Sequence, residues 1–227
     1  MGLRKPFRDK RSTRVFTEAY ETPKTDGSGN TRRNLRQALK LLREAGWSVE
    51  DGKLVSPADG RPLEIEFLIV SPLFQRIIAP FIKNLEKLGV TAKIRLVDSA
   101  QYQKRLDEFD FDMIVASIGQ SLSPGNEQNN LWTSAAADTP GSRNYAGIKD
   151  PVVDSLVTTL IAAADRASLV TATRALDRVL LSGFYVVPHW HIRTYRVAYW
   201  NKLARPAVTP KYGLGFSSWW VDPDLAD

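Results

Sequence analysis

The sequence predicts an α/β fold, a mixed sheet flanked by helices, and three observations predict it. Between Leu63 and Ile118, strand-like and helix-like segments alternate in the order β-α-β-α-β. Apolar residues make up 43% of the chain and charged residues 25%, an ordinary globular mix, so 227 residues can bury a core. No apolar run approaches the ~20 residues that cross a bilayer. Units of this order favour adjacent parallel strands, and open α/β sheets take ligands beyond the carboxyl ends of their strands.

Each element has its own local reason. The break TDGSGN at 25–30 precedes NLRQALKLLREAG, where Leu35, Ala38, Leu39 and Leu42 recur at helical spacing before Gly46 stops the helix. Turns at Glu50-Asp51-Gly52 and Pro57-Ala58-Asp59-Gly60 lead to LEIEFLIV, a strand rich in β-branched and aromatic residues. A helix over 73–88 carries Ile77, Ile78, Phe81, Ile82 and Leu85, and ends at Gly89. Next, VTAKIRLVD alternates as a strand, AQYQKRLDEF reads as a helix, and DMIVASI reads as a buried strand. Two further helices follow, one started by Asp150 before Pro151, the other spanning 168–181 and stopped near Gly183. Beyond them FYVVPHWHIRTYRVAYW is extended and aromatic, and RPAVTPKYGLGFSSWWVDPD is mostly coil. The expected organisation is a basic arm over 1–14, an α/β lobe over 15–185 and an extended segment over 186–227.

The net charge of +6 is unevenly placed: Arg4, Lys5, Arg8, Lys10, Arg11 and Arg14 face Asp9 alone, leaving the rest of the chain close to neutral. A basic arm can bind phosphates, yet no nucleic-acid reading module accompanies it, so no nucleic acid is expected as a partner. MGLRKPFRDKRS has the charges of a secretory leader without an apolar stretch behind them. With no cysteine, disulfides and thiolate chemistry are excluded. His189 and His191 share one face of an extended segment, but a third ligand at motif spacing is missing, so no metal is expected. Gly119-Gln120-Ser121-Leu122-Ser123 nearly reproduces the G-x-S-x-G elbow of serine hydrolases, which would pair Ser121 with His189. Its last glycine is a serine, and Pro124-Gly125 stands where a helix should begin. The expectation is a protein without catalytic residues or cofactor.

Several separated stretches carry a resemblance: REAGW, VTAKIRLVD, FDFDMIVASI, NYAGIKDPVVDSLV and VPHWHIRTYRVAYW. From about Val15 to Asp224 the chain resembles the C-terminal part of family 5 extracellular solute-binding proteins, the oligopeptide and dipeptide receptors of ABC importers. SLSPGNEQ together with RPAVTPKYGLGFSSWW is most similar to the branch serving microcin C-type peptide importers. The resemblance implies a lobe of the type II periplasmic binding protein fold, with a terminal segment that crosses back to a first lobe. Family members are about twice as long or more, so the chain is expected to be one part of such a protein. Expected partners are a peptide or modified peptide and the membrane permease subunits of the transporter, in the periplasm, with the complete protein a monomer.

The loop SLSPGNEQNNLW, Ser121–Trp132, follows the last expected strand, where such sheets bind ligands. In many relatives the corresponding loop holds an aspartate for the peptide's α-ammonium group. Here Gly119–Gly125 contains no acid, and Glu127 is displaced by several residues. The loop offers instead the hydroxyls of Ser121 and Ser123, the amides of Gln120, Asn126 and Gln128, and backbone donors beside Gly125. Neutral donors and acceptors suit a blocked amino terminus better than a bare ammonium. Expected ligand contacts are Gln120, Ser121, Leu122, Ser123, Pro124, Gly125, Asn126, Gln128, Trp132, Asn144 and Tyr145. Core packing is the competing role for Trp132, a turn for Asn144 and a buried ring for Tyr145. Trp219 and Trp220 read as packing against the first lobe rather than as ligand contacts.

Overall fold

The computed structural model describes residues 15, 17–190, 194–210 and 213–225. The expected basic arm over 1–14 and His191 lie outside the described residues. The chain divides into two units, Met1–Val187 and Pro188–Asp227.

The first unit opens with helix α1 (Arg32–Glu44), followed by the antiparallel ribbon β1 (Ser48–Glu50) and β2 (Lys53–Val55). Strand β3 (Glu64–Ile69) comes next, then a short 3₁₀ turn (Pro72–Phe74) and helix α2 (Gln75–Glu86). Strand β4 (Thr91–Leu96), helix α3 (Ser99–Asp107) and strand β5 (Met113–Ile114) complete the alternation. The three strands form a parallel sheet in the order β4-β3-β5, with Glu64 opposite Thr91 and Phe67 opposite Met113. The β-α-β-α-β expectation is met, and the antiparallel strands form separate two-stranded ribbons, with a single antiparallel bridge between Val55 and Pro62 besides among the described residues.

Helices α1 and α2 end in the same way. After α1, the Gly46 amide donates to the Arg43 carbonyl and the Trp47 amide to that of Leu42; after α2, Gly89 donates to Glu86 and Val90 to Leu85. Both are Schellman closures with glycine in the left-handed region, at φ +89° and +84°. Each turns the next apolar residue inward, so Trp47 and Val90 meet Leu54 and Leu88 in one core cluster, flanked by Leu35, Leu39, Leu42 and Leu85. Gly89 has a second constraint: a Cβ there would stand 2.7 Å from the Leu54 amide nitrogen, which itself donates to the Gly89 carbonyl at 2.8 Å.

The second core cluster joins β3 to α2 through Phe67, Ile69, Ile78 and Ile82, with Ile94, Met113 and Val115 packed against it. Helix α3 begins where Asp98 accepts hydrogen bonds from the amides of Ala100 and Gln101. At the amino edge of the sheet, Arg105 pairs with Glu66 at 3.0 Å and with Asp110 at 2.8 Å.

The structure corrects the reading of DMIVASI as one strand. Only Met113 and Ile114 pair, opposite Phe67 and Leu68, and residues 115–120 have no regular structure. β3 ends at Ile69, one residue beyond the last paired position, so the remaining backbone groups have no strand to meet on that side.

Helix α4 (Glu127–Trp132) then leads by way of a turn at Ala136–Asp138 to the pair α5 (Pro151–Ile161) and α6 (Arg166–Ser182). Asp150 caps α5 through the Val152 amide and Asp165 caps α6 through that of Ser168. Their interface forms the third core cluster, with Ile148, Val153, Val157, Leu160, Ala172 and Leu176 buried and Trp132 packed against it. The second unit contains a small ribbon, β6 (Leu203–Ala204) with β7 (Trp220–Val221). Within it Trp219 donates to the Leu214 carbonyl at 3.0 Å and meets the rings of Tyr199 and Phe216, while Trp220 is half exposed.

Candidate functional site

The carboxyl ends of β3, β4 and β5 bring Val70, Leu96 and the segment 115–120 to one edge of the sheet, all following from the register that places Ile69 beside Leu96 and Leu68 beside Ile114. Val70, Leu73 and Leu96 are exposed there. Tyr102 of α3 lies beneath this edge with its hydroxyl 3.5 Å from the Val115 carbonyl, and burial first, then Tyr145 nearby, pushes its phenol above the ordinary value.

The loop leaving β5 is held from within by one side chain. Gln128 is 2% exposed; its Nε2 donates to Gln120 Oε1 at 2.7 Å and to Glu127 Oε1 at 3.1 Å, and its Oε1 accepts from the Trp132 indole at 2.8 Å. The Gly125 amide donates to Glu127 Oε1 at 2.9 Å. That bond, with those from the Glu127 amide and Gln128, holds the Glu127 carboxyl below the ordinary value. Closer to the strand, the Ser123 amide donates to Ser121 Oγ at 3.1 Å. Two cations hold the loop from outside: Arg143 donates to the Ser117 carbonyl at 3.1 Å, and Arg166, at the start of α6, donates to the Leu122 carbonyl.

The predicted contacts therefore fall into two groups. Gln120, Ser121, Leu122, Ser123 and Asn126 are exposed, with Pro124 and Gly125 partly so, and together they form the outer face of the loop. Gln128 and Trp132 turn inward, the first as the centre of the loop's hydrogen bonds, the second against the α5–α6 core. Asn144 is 1% exposed, and its side chain binds the carbonyls of Thr133 and Ile148 and the amide of Ile148, each at 2.9 Å. Tyr145 meets Phe111 edge to face at 6.3 Å. The residues that hold the loop and that sequence reasoning missed are Arg143, Arg166 and Tyr102. Nothing in the local pattern marks them, because their partners stand 26, 44 and 13 positions away.

The arrangement does not make a nucleophile elbow at Ser121. Its hydroxyl is an acceptor for Ser123, the next helix begins only at Glu127, and it is not among the described non-glycine residues with positive φ. His189 stacks on Trp190 with ring centroids 5.2 Å apart. A depression of about 390 Å³ lies at the opposite, amino edge of the sheet, lined by Glu64, Glu66, Lys93, Arg105, Asp110 and Asp112. Its charges are largely paired with one another, and it is at the wrong end of the strands for a ligand of an open α/β sheet, so the loop is the stronger candidate.

Comparison with known proteins follows the same line. The family described as bacterial extracellular solute-binding proteins, family 5 middle, matches residues 10–140. Protein y4wM of Sinorhizobium fredii is 47% identical over 91% of this chain and 31% of its own length. The probable peptide-binding protein YejA of Agrobacterium fabrum is 46% identical over 94% of this chain and 35% of its own. The chain thus spans about a third of the length of these curated relatives. Among solved structures, the oligopeptide-binding protein AppA of Bacillus subtilis, bound to a nonapeptide, superposes with a TM-score of 0.58 at 20% identity, over 78% of this chain and 38% of that one. That likeness shows the fold, a lobe of the type II periplasmic binding proteins. With a parallel sheet, a loop at the carboxyl end of that sheet and a family match over more than half its residues, the chain belongs to family 5 of the bacterial extracellular solute-binding proteins.

Proposed function

We propose that this chain is the loop-bearing lobe of a substrate-binding component of an ABC importer, a non-enzymatic protein that captures peptides or modified peptides in the periplasm and delivers them to membrane permease subunits. The reading rests on family membership and on the peptide ligands named for its relatives and structural neighbours. The observation that carries it is the loop itself. Its outer face presents the hydroxyls of Ser121 and Ser123 and the amide of Asn126 at the carboxyl end of β5, with no acid between Gly119 and Gly125.

A loop without an acid between Gly119 and Gly125 favours a ligand whose amino end is blocked. A bare ammonium stripped of water needs a counter-charge, whereas a formyl or acyl amide is served by neutral hydrogen bonds. Ligand capture in this fold works by closure of two lobes, and the free energy of closure comes from contacts made only in the closed state.

The test is a pair of titrations with one peptide, with and without an N-formyl group, against the parent chain and the Ser121→Asp and Ser123→Asp variants, followed by amide chemical shifts. A charge-assisted hydrogen bond is worth about 1.5–3 kcal/mol against about 1 for a neutral one, so either aspartate should move the preference toward the free amine by several-fold. Unchanged ratios in both folded variants reject the loop's role.

A further inference from the structure

We infer that Arg143 and Arg166 make this loop selective for ligands that carry carboxylate groups, so that acidic peptides are preferred to neutral or basic peptides of the same length. The inference rests on the proposed peptide-binding role of the loop and adds the charge of the ligand, which that role leaves open.

Both guanidinium groups are exposed, and each is tied to a loop carbonyl, Arg143 to Ser117 and Arg166 to Leu122. A guanidinium has five donors, so one bond to a carbonyl leaves most of its capacity free. Among the described residues neither group has a carboxylate within 4.0 Å, whereas Arg105 pairs with two. The two carbonyls are five residues apart and at most ~18 Å from each other, a span that a peptide of a few residues covers.

Arg166 is also placed against the preference of its own helix. It is the first residue of α6, where the helix dipole disfavours a cation, and the end is already capped by Asp165. What the position does provide is the reach to the Leu122 carbonyl of the loop. The carboxylates of Glu127, in the loop, and Asp165, beside Arg166 in sequence, accept hydrogen bonds from Gly125 and Gln128 and from Ser168 and keep their charge, but neither lies within 4.0 Å of either guanidinium. The loop thus presents two exposed guanidinium groups with no direct carboxylate partner among the described residues, beside exposed hydroxyl and amide groups. A carboxylate meets such a guanidinium in a charge-assisted, bidentate geometry that an amide cannot reproduce.

Three acetylated and amidated pentapeptides test this: alanine peptides with glutamate, glutamine or lysine at the second and fourth positions, titrated into the chain with loop amide shifts as the readout. The glutamate peptide should bind at least about fivefold more tightly than the glutamine peptide, with the lysine peptide weakest. That gap should shrink as salt rises from ~0.02 M to ~0.5 M. In the double variant Arg143→Gln with Arg166→Gln, the glutamate peptide should fall to the level of the glutamine peptide, and replacing both by lysine should keep part of the difference. Were the arginines only struts of the loop, both peptides would weaken together and their ratio would stay as in the parent. Equal binding of the glutamate and glutamine peptides by the parent overturns the inference while leaving the peptide-binding role intact. Failure of all three to shift the loop amides rejects both.

Discussion

Asn144 illustrates how one side chain can hold a segment that has no regular structure of its own. It bonds three backbone groups, of Thr133 and Ile148, in a site 1% exposed, joining the end of α4 to the approach of α5. From the sequence a turn and a cleft contact were both open to it, and the direction of its side chain was not legible, since both share the same local residues. Replacing Asn144 by alanine should leave those buried groups without partners, each worth about 1–3 kcal/mol. We expect Asn144→Ala to lower stability by about 2 kcal/mol or more in urea unfolding; a change below about 0.5 kcal/mol would show that water replaces the amide. Gln128 acts similarly within the loop, so its amide serves the shape of the loop while Ser121 and Ser123 are exposed.

At the scale of elements, the ends of the helices were the most legible feature. Asp150, which caps α5, and Gly46 and Gly89, which close α1 and α2, act through bonds spanning only a few residues and were read from the sequence, whereas the Asp98 and Asp165 caps of α3 and α6 were not. Strand β5 was not legible to its full extent, because how far a strand runs depends on its neighbour as much as on its own residues. The junction of β3 with α3 also depends on a long-range pair. Burial pushes the Glu66 carboxyl up, but the hydrogen bonds and charges of Arg105 and Lys93 outweigh it and hold the group below its ordinary 4.5. A carboxylate with a depressed value stabilises the fold above the unfolded value, and this stability is lost as pH falls through the folded one. Glu66→Gln should therefore destabilise the chain by about 1 kcal/mol near pH ~7, with the difference from the parent shrinking below pH ~4. Urea midpoints across that range would show it; a difference that persists at the acid end would mean the effect is packing rather than charge.

For the molecule as a whole, the share of its relatives' length is the governing fact. The chain covers about a third of each curated relative it matches, and its second unit exposes Trp190, Tyr195, Trp200, Phe216 and Trp220. On the proposed function, contact from the lobe described here alone would leave a ligand half solvated and forgo the closed state. We therefore expect a given peptide to bind this chain at least tenfold more weakly than it binds the full-length relative YejA of Agrobacterium fabrum, measured by calorimetric titration of both. Equal affinities would place the whole binding energy in this lobe and remove the need for closure.

The sequence by itself determined what depends on near neighbours. Helical periodicity, the Asp150 cap, glycine closures and the alternation of strands with helices are written in residues a few positions apart, and they define an α/β lobe with a polar loop, free of acids from Gly119 to Gly125, at the carboxyl end of its sheet. Tertiary structure decided which side chains turn inward and which residues hold the loop. Gln128 and Asn144 point into the protein, β5 stops after two residues, and Arg143 and Arg166 reach across the chain to Ser117 and Leu122. The reason is physical: a hydrogen bond between residues 26 or 44 positions apart exists only once the chain has packed, and no local period encodes its partner.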